Sequence, residues 1–145
     1  MRRDIAIAAV LIGMAGPASA GVVEGRFEIE GGCYVRKYDA AHLRSHPNQV
    51  VTQISLETAR TQTERDLLTL TLQFSTRQGS HYSAQAYCSA NDRCSIEGDG
   101  GTFRLTGDGP RIKLTVGEFL AIEGNDDFSP NLADSDDRVF LLDAC

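Results

Sequence analysis

Residues 68–75 read Leu68-Thr69-Leu70-Thr71-Leu72-Gln73-Phe74-Ser75, an unbroken alternation of apolar and polar side chains. A strand sends successive side chains to opposite faces. Leu68, Leu70, Leu72 and Phe74 therefore share one face, and Thr69, Thr71, Gln73 and Ser75 share the other. A helix would scatter the same residues around its axis. One apolar and one wet face per strand is the pattern of an antiparallel sheet that packs on one side only.

Working outward, the same period recurs more weakly at Phe27/Ile29, residues 50–56, Tyr82/Ala84/Ala86, Phe103/Leu105, Ile112/Leu114/Val116, residues 119–122 and residues 139–142. Turn-forming clusters separate the runs: Gly79-Ser80, Gly98-Asp99-Gly100-Gly101, Gly107-Asp108-Gly109-Pro110 and Gly124-Asn125-Asp126. About eight short strands at this spacing predict an all-β fold, either an antiparallel β-sandwich or a partly closed small barrel. One short helix is expected at residues 40–46, with Asp39 as its cap and Pro47 as its stop. Ile-Glu-Gly begins at Ile29, Ile96 and Ile122, at unequal intervals, which reads as strands running into turns and not as a repeat.

The first twenty residues stand apart. Arg2 and Arg3 precede an apolar run over residues 5–14, and Ala18-Ser19-Ala20 follows with the small side chains that signal peptidase requires. Residues 1–20 are expected to be a cleavable signal peptide and residues 21–145 a single β domain. The apolar run covers about half of a bilayer core, too little for a membrane anchor. Asp4 directly after the arginine pair argues against a twin-arginine signal. The expected destination is the periplasm or the medium, without membrane insertion.

Removing that segment takes away Arg2, Arg3 and Asp4 and leaves 12 basic and 19 acidic residues, a net charge of −7. Phosphate-backbone binding needs clustered Lys and Arg, so nucleic acid is a poor expectation. Cys33, Cys88, Cys94 and Cys145 are an even set in an oxidising compartment, where disulfides are the default. Zinc needs close pairs such as C-x₂-C, and these cysteines are spaced 55, 6 and 51 apart. Cys88 and Cys94 flank a tight turn containing Asn91-Asp92, which sets them opposite each other. Cys33 is then left for Cys145, a bridge tying the last strand to the first.

Several constellations could carry chemistry. Gly98-Asp99-Gly100-Gly101 lacks the Lys-Ser/Thr and the helix of a phosphate loop and suits a hairpin turn. The segment over residues 125–137 holds Asp126, Asp127, Asp134, Asp136 and Asp137, oxygen ligands of the kind calcium prefers. It lacks the EF-hand register, and a solvated polar surface loop is the favoured account, because Asp-rich loops are common without metal. No cofactor is expected unless this segment holds calcium. His42 and His46 are four apart, at metal-ligand spacing, but Leu43 stands where the metalloprotease motif needs Glu. No G-x-S-x-G elbow is present, and oxidised cysteines cannot act as nucleophiles.

The expectation is therefore a non-enzymatic exported binding module acting on a protein or small ligand. The rivals are a small periplasmic hydrolase and a calcium-dependent surface protein. Loops on a stapled scaffold are the natural contact elements. The candidates are Asn91-Asp92-Arg93 and Phe128-Ser129-Pro130, with Phe128 foremost. An aromatic amid polar loop residues either folds back into the core or waits for a partner, and the usual burial of Phe favours the core.

Overall fold

A computed structural model describes residues 21–27, 32–62 and 68–145. Eight strands run in chain order: β1 (Cys33–Lys37), β2 (Val51–Thr58), β3 (Leu68–Thr76), β4 (His81–Cys88), β5 (Arg93–Ile96), β6 (Gly101–Asp108), β7 (Arg111–Leu120) and β8 (Val139–Ala144). Each pairs antiparallel with its chain neighbours, and β8 pairs back onto β1 to close a barrel. Closure joins the last strand to the first, which is how a small antiparallel sheet limits edge-to-edge association. The all-β, disulfide-stapled expectation holds, and the barrel is the architecture formed.

The alternation in residues 68–75 now has its explanation. Leu70, Leu72 and Phe74 point into the barrel, where they meet Ile54, Leu56, Leu105, Leu114 and Phe140, all at most 2% exposed. Eight strands leave an interior just wide enough to be filled by side chains. Here it is filled.

Both disulfides pair as expected. Cys88 and Cys94 are cross-strand partners in the β4–β5 hairpin, and Asp92 in its turn takes φ 62°. Cys33–Cys145 locks the seam, where register extends only to Tyr34↔Ala144 and Val35↔Asp143. No cysteine is free. Two such bridges belong to an oxidising, non-cytoplasmic compartment. Among the described residues no helix is long and apolar enough to cross a membrane.

Each barrel end is plugged. At one end lies α1 (Val22–Phe27), with Val23 and Phe27 four residues apart on the face turned into the core, 1% and 0% exposed. The expected strand around Phe27 is thus corrected to a helix, while Ile29 lies outside the described residues. The cause is tertiary: the Asp92 carboxylate accepts from the N–H groups of Val22 (3.0 Å) and Val23 (2.8 Å) and caps a helix the local sequence barely favours. Arg26 then donates to the carbonyls of Gly109 (2.7 Å) and Pro110 (3.1 Å). At the opposite end are α2 (Ala40–Ser45), a 3-10 turn at Leu132–Asp134, and the loop joining β7 to β8, from which Ile122 and Leu132 fill the core. Residues 119–122, read as a separate strand, instead finish β7 and turn inward over this end. Asp39 caps α2 by accepting from His42 N–H at 2.7 Å, as expected.

Candidate functional site

β5 has four residues where its neighbours have eight. It covers β4 only over residues 86–88, nearest the α1 end. Towards the α2 end the wall has a notch, seen as a groove of about 640 Å³. Its floor is Ala84, Ile96, Ala121 and Ile122, and the loop over residues 123–128 overhangs it.

Phe128 stands on that overhang, 66% exposed. The expected fold-back into the core does not occur. Ser129 explains why: its N–H donates to Ile122 C=O (2.8 Å), and its hydroxyl accepts from Ile122 N–H (2.9 Å). Those two bonds turn Ile122 and Ser129 inward, so the next pair along the bridge, Glu123 and Phe128, faces water. Gly124 N–H donates to Asp127 C=O at 2.7 Å and closes the tip. The aromatic is presented by a loop already held in shape.

The five candidate calcium ligands divide. Asp137 is 2% exposed, and its carboxylate accepts from Val50 N–H (2.6 Å), Val51 N–H (3.1 Å) and Ser135 Oγ (2.7 Å). It fastens the start of β2 to the β7–β8 loop. Asp126, Asp127, Asp134 and Asp136 are exposed. Asp134 accepts from Asn131 Nδ2 (3.2 Å), and Asp127 accepts more distantly from the Tyr82 hydroxyl (3.4 Å). Among the described residues no three carboxylate, imidazole or thiol groups converge on one point.

His42 and His46 stack face to face, centroids 4.1 Å apart and planes 15° apart, with Tyr38 on the other side of His42 at 4.5 Å. An imidazole binds metal in its ring plane, and two nearly parallel planes at this spacing do not share an ion. His42 Nε2 meets Gln49 Oε1 at 2.9 Å, and His46 Nδ1 donates to His42 C=O at 2.8 Å. The Tyr38 phenol is raised above its ordinary value chiefly by burial; Arg36 opposes the shift and Asp137 reinforces it. The third histidine, His81, accepts or donates through Nδ1 to Ser75 Oγ at 2.7 Å across β3 and β4. That is a serine–imidazole contact in a groove of about 290 Å³ with Gln53 and Gln73, and among the described residues no carboxylate lines it. A cross-strand polar pair of this kind is ordinary sheet stabilisation.

Of the other proposed contacts, Asp92 is occupied in capping α1 and Asn91 by Ser89, while Arg93 is exposed opposite Arg104. The notch itself was missed from the sequence. Its signal was spacing: only five residues separate the Asn91-Asp92 turn from Gly98, too few for a strand matching β4. No protein-family model matches the chain, and neither a curated protein nor a solved structure shows significant similarity to it.

Proposed function

We propose that the protein is an exported, non-enzymatic binding module, working in the periplasm or outside the cell, that holds a protein or small ligand against the notch and its Phe128 rim. One observation carries this reading: a large aromatic, 66% exposed, on a loop hydrogen-bonded into a fixed shape beside an apolar-floored groove. An exposed aromatic on a preorganised loop loses little entropy on binding, and aromatic side chains are enriched at interfaces relative to the rest of a protein surface. The filled, plugged barrel supports an outer contact surface over an internal ligand cavity.

The test compares the protein with Phe128→Ala, both immobilised and exposed to periplasmic extract. Phe128→Ala should keep its unfolding free energy within about 0.5 kcal/mol, the usual range for surface changes, and should lose the partner. Equal retrieval by both forms would show the rim to be uninvolved.

The rival reading, a small hydrolase, would rest on the Ser75–His81 contact, with His81 accepting the Ser75 proton. Ester or peptide turnover abolished by His81→Ala would replace binding with catalysis.

A further inference from the structure

Where β5 stops short, β4 is left with an unpaired edge. Alternate residues of an antiparallel strand send their N–H and C=O to opposite sides. Ser80 C=O accepts from Thr76 N–H (2.9 Å) towards β3, and Gln85 C=O accepts from Glu97 N–H (2.9 Å) towards β5. Ser83, two residues before Gln85, therefore turns both its N–H and its C=O into the notch. Among the described residues neither finds a hydrogen-bond partner, and Ser83 is exposed.

We propose that the notch receives an extended, basic peptide segment of a partner protein, which adds to β4 as a short strand beside Ser83. This rests on the reading that the groove binds, and it names the occupant. The open donor–acceptor pair of Ser83 is what a peptide backbone recognises in strand addition. The apolar floor of Ala84, Ile96, Ala121 and Ile122 suits alternate side chains of an extended chain, which all point one way. Charge selects among peptides. Glu97, Asp99 and Glu123 line the groove, Asp126 and Asp127 stand on the overhanging loop, and among the described residues no Lys or Arg lines it. The complementary segment carries Lys or Arg on the face turned to solvent.

The probe is a short amidated peptide alternating lysine and valine, titrated into the isotopically labelled wild-type protein. Three counterparts accompany it: one N-methylated at every lysine, one N-methylated at every valine, and one with glutamate in place of lysine. N-methylation removes backbone donors from one edge of the peptide without touching the protein fold. The parent should shift the amide resonances of Ser83 and Gln85 and slow exchange of Ser83 N–H. One methylated peptide, whichever loses the donors facing β4, should bind at least about tenfold more weakly, and the other close to the parent. The glutamate peptide should bind at least about tenfold more weakly, and added salt should weaken the parent. Equal binding by both methylated peptides, or no shift at Ser83 with the parent, overturns strand addition. The rim reading fails separately, if Phe128→Ala keeps its partner.

Discussion

The two disulfides do unequal work, and the inequality can be computed. Cys33 and Cys145 are 112 residues apart, Cys88 and Cys94 only 6. A bridge restricts the unfolded chain more when the loop it closes is longer. The chain-entropy relation gives about 4.8 kcal/mol for the long loop and about 2.4 kcal/mol for the short one. The environments narrow the gap. Cys88 and Cys94 are 1% exposed, so C88A/C94A also leaves small core voids, on the order of 1 kcal/mol in all. Cys145 is exposed and Cys33 only half-buried, so C33A/C145A adds no comparable cavity.

The expected losses are then about 5 and about 3.5 kcal/mol. Unfolding entropy is about 2.1 cal/mol/K per residue, or roughly 0.26 kcal/mol/K for a domain of this size. The midpoints should fall by about 18 °C for C33A/C145A and about 13 °C for C88A/C94A. The assay is thermal unfolding followed by circular dichroism, with urea titration as a check on two-state behaviour and on a larger denaturant slope. Amide exchange should quicken at Tyr34 and Ala144 in C33A/C145A, because that seam has little other register. The reasoning fails if C88A/C94A melts at or below the temperature of C33A/C145A.

Asp137→Ala strips the partner from two backbone N–H groups at the start of β2 and should cost about 3 kcal/mol in urea unfolding. Asp92→Gly keeps the positive φ but loses the α1 cap, costing about 1–2 kcal/mol and speeding exchange at Val22 and Val23; unchanged exchange there would show the cap to be idle. Burial holds the Tyr38 phenol neutral to higher pH than in the unfolded chain. Its contribution is therefore complete below about pH 10 and declines as pH rises through the folded-state value, and Tyr38→Phe should flatten the stability profile there. Exchanging chelator for roughly 2 mM calcium should leave the melting midpoint unchanged, because Asp137 is already engaged; a rise would restore the acidic segment as a metal site.

Local pattern determined much of this protein. The alternation at residues 68–75, the turn residues at Asn91-Asp92 and Gly98, and the Asp39 cap each act within a few residues, so the strand class, the β4–β5 bridge and α2 were legible in the sequence. Once Cys88 and Cys94 were paired, elimination supplied the seam bridge. β1 went unread because Arg36 interrupts its apolar period, and β7 was cut in two because Gly117 and Glu118 interrupt the run of Ile112, Leu114 and Val116 before Leu120.

Only the tertiary structure decided the rest. Whether eight strands split into two sheets or close on themselves depends on whether β8 meets β1, a contact between chain ends that no local period encodes. Residues around Phe27 became a helix because Asp92, some 70 positions away, supplied the cap. Phe128 faces solvent because Ser129 and Ile122 claim the inward positions. Asp137, one of five similar acids in sequence, is buried because the start of β2 brings two N–H groups to it. Hydrophobicity and turn chemistry are properties of a residue and its neighbours. Burial, capping and an unpaired strand edge are properties of what the rest of the chain places beside it, and they exist only once the barrel has closed.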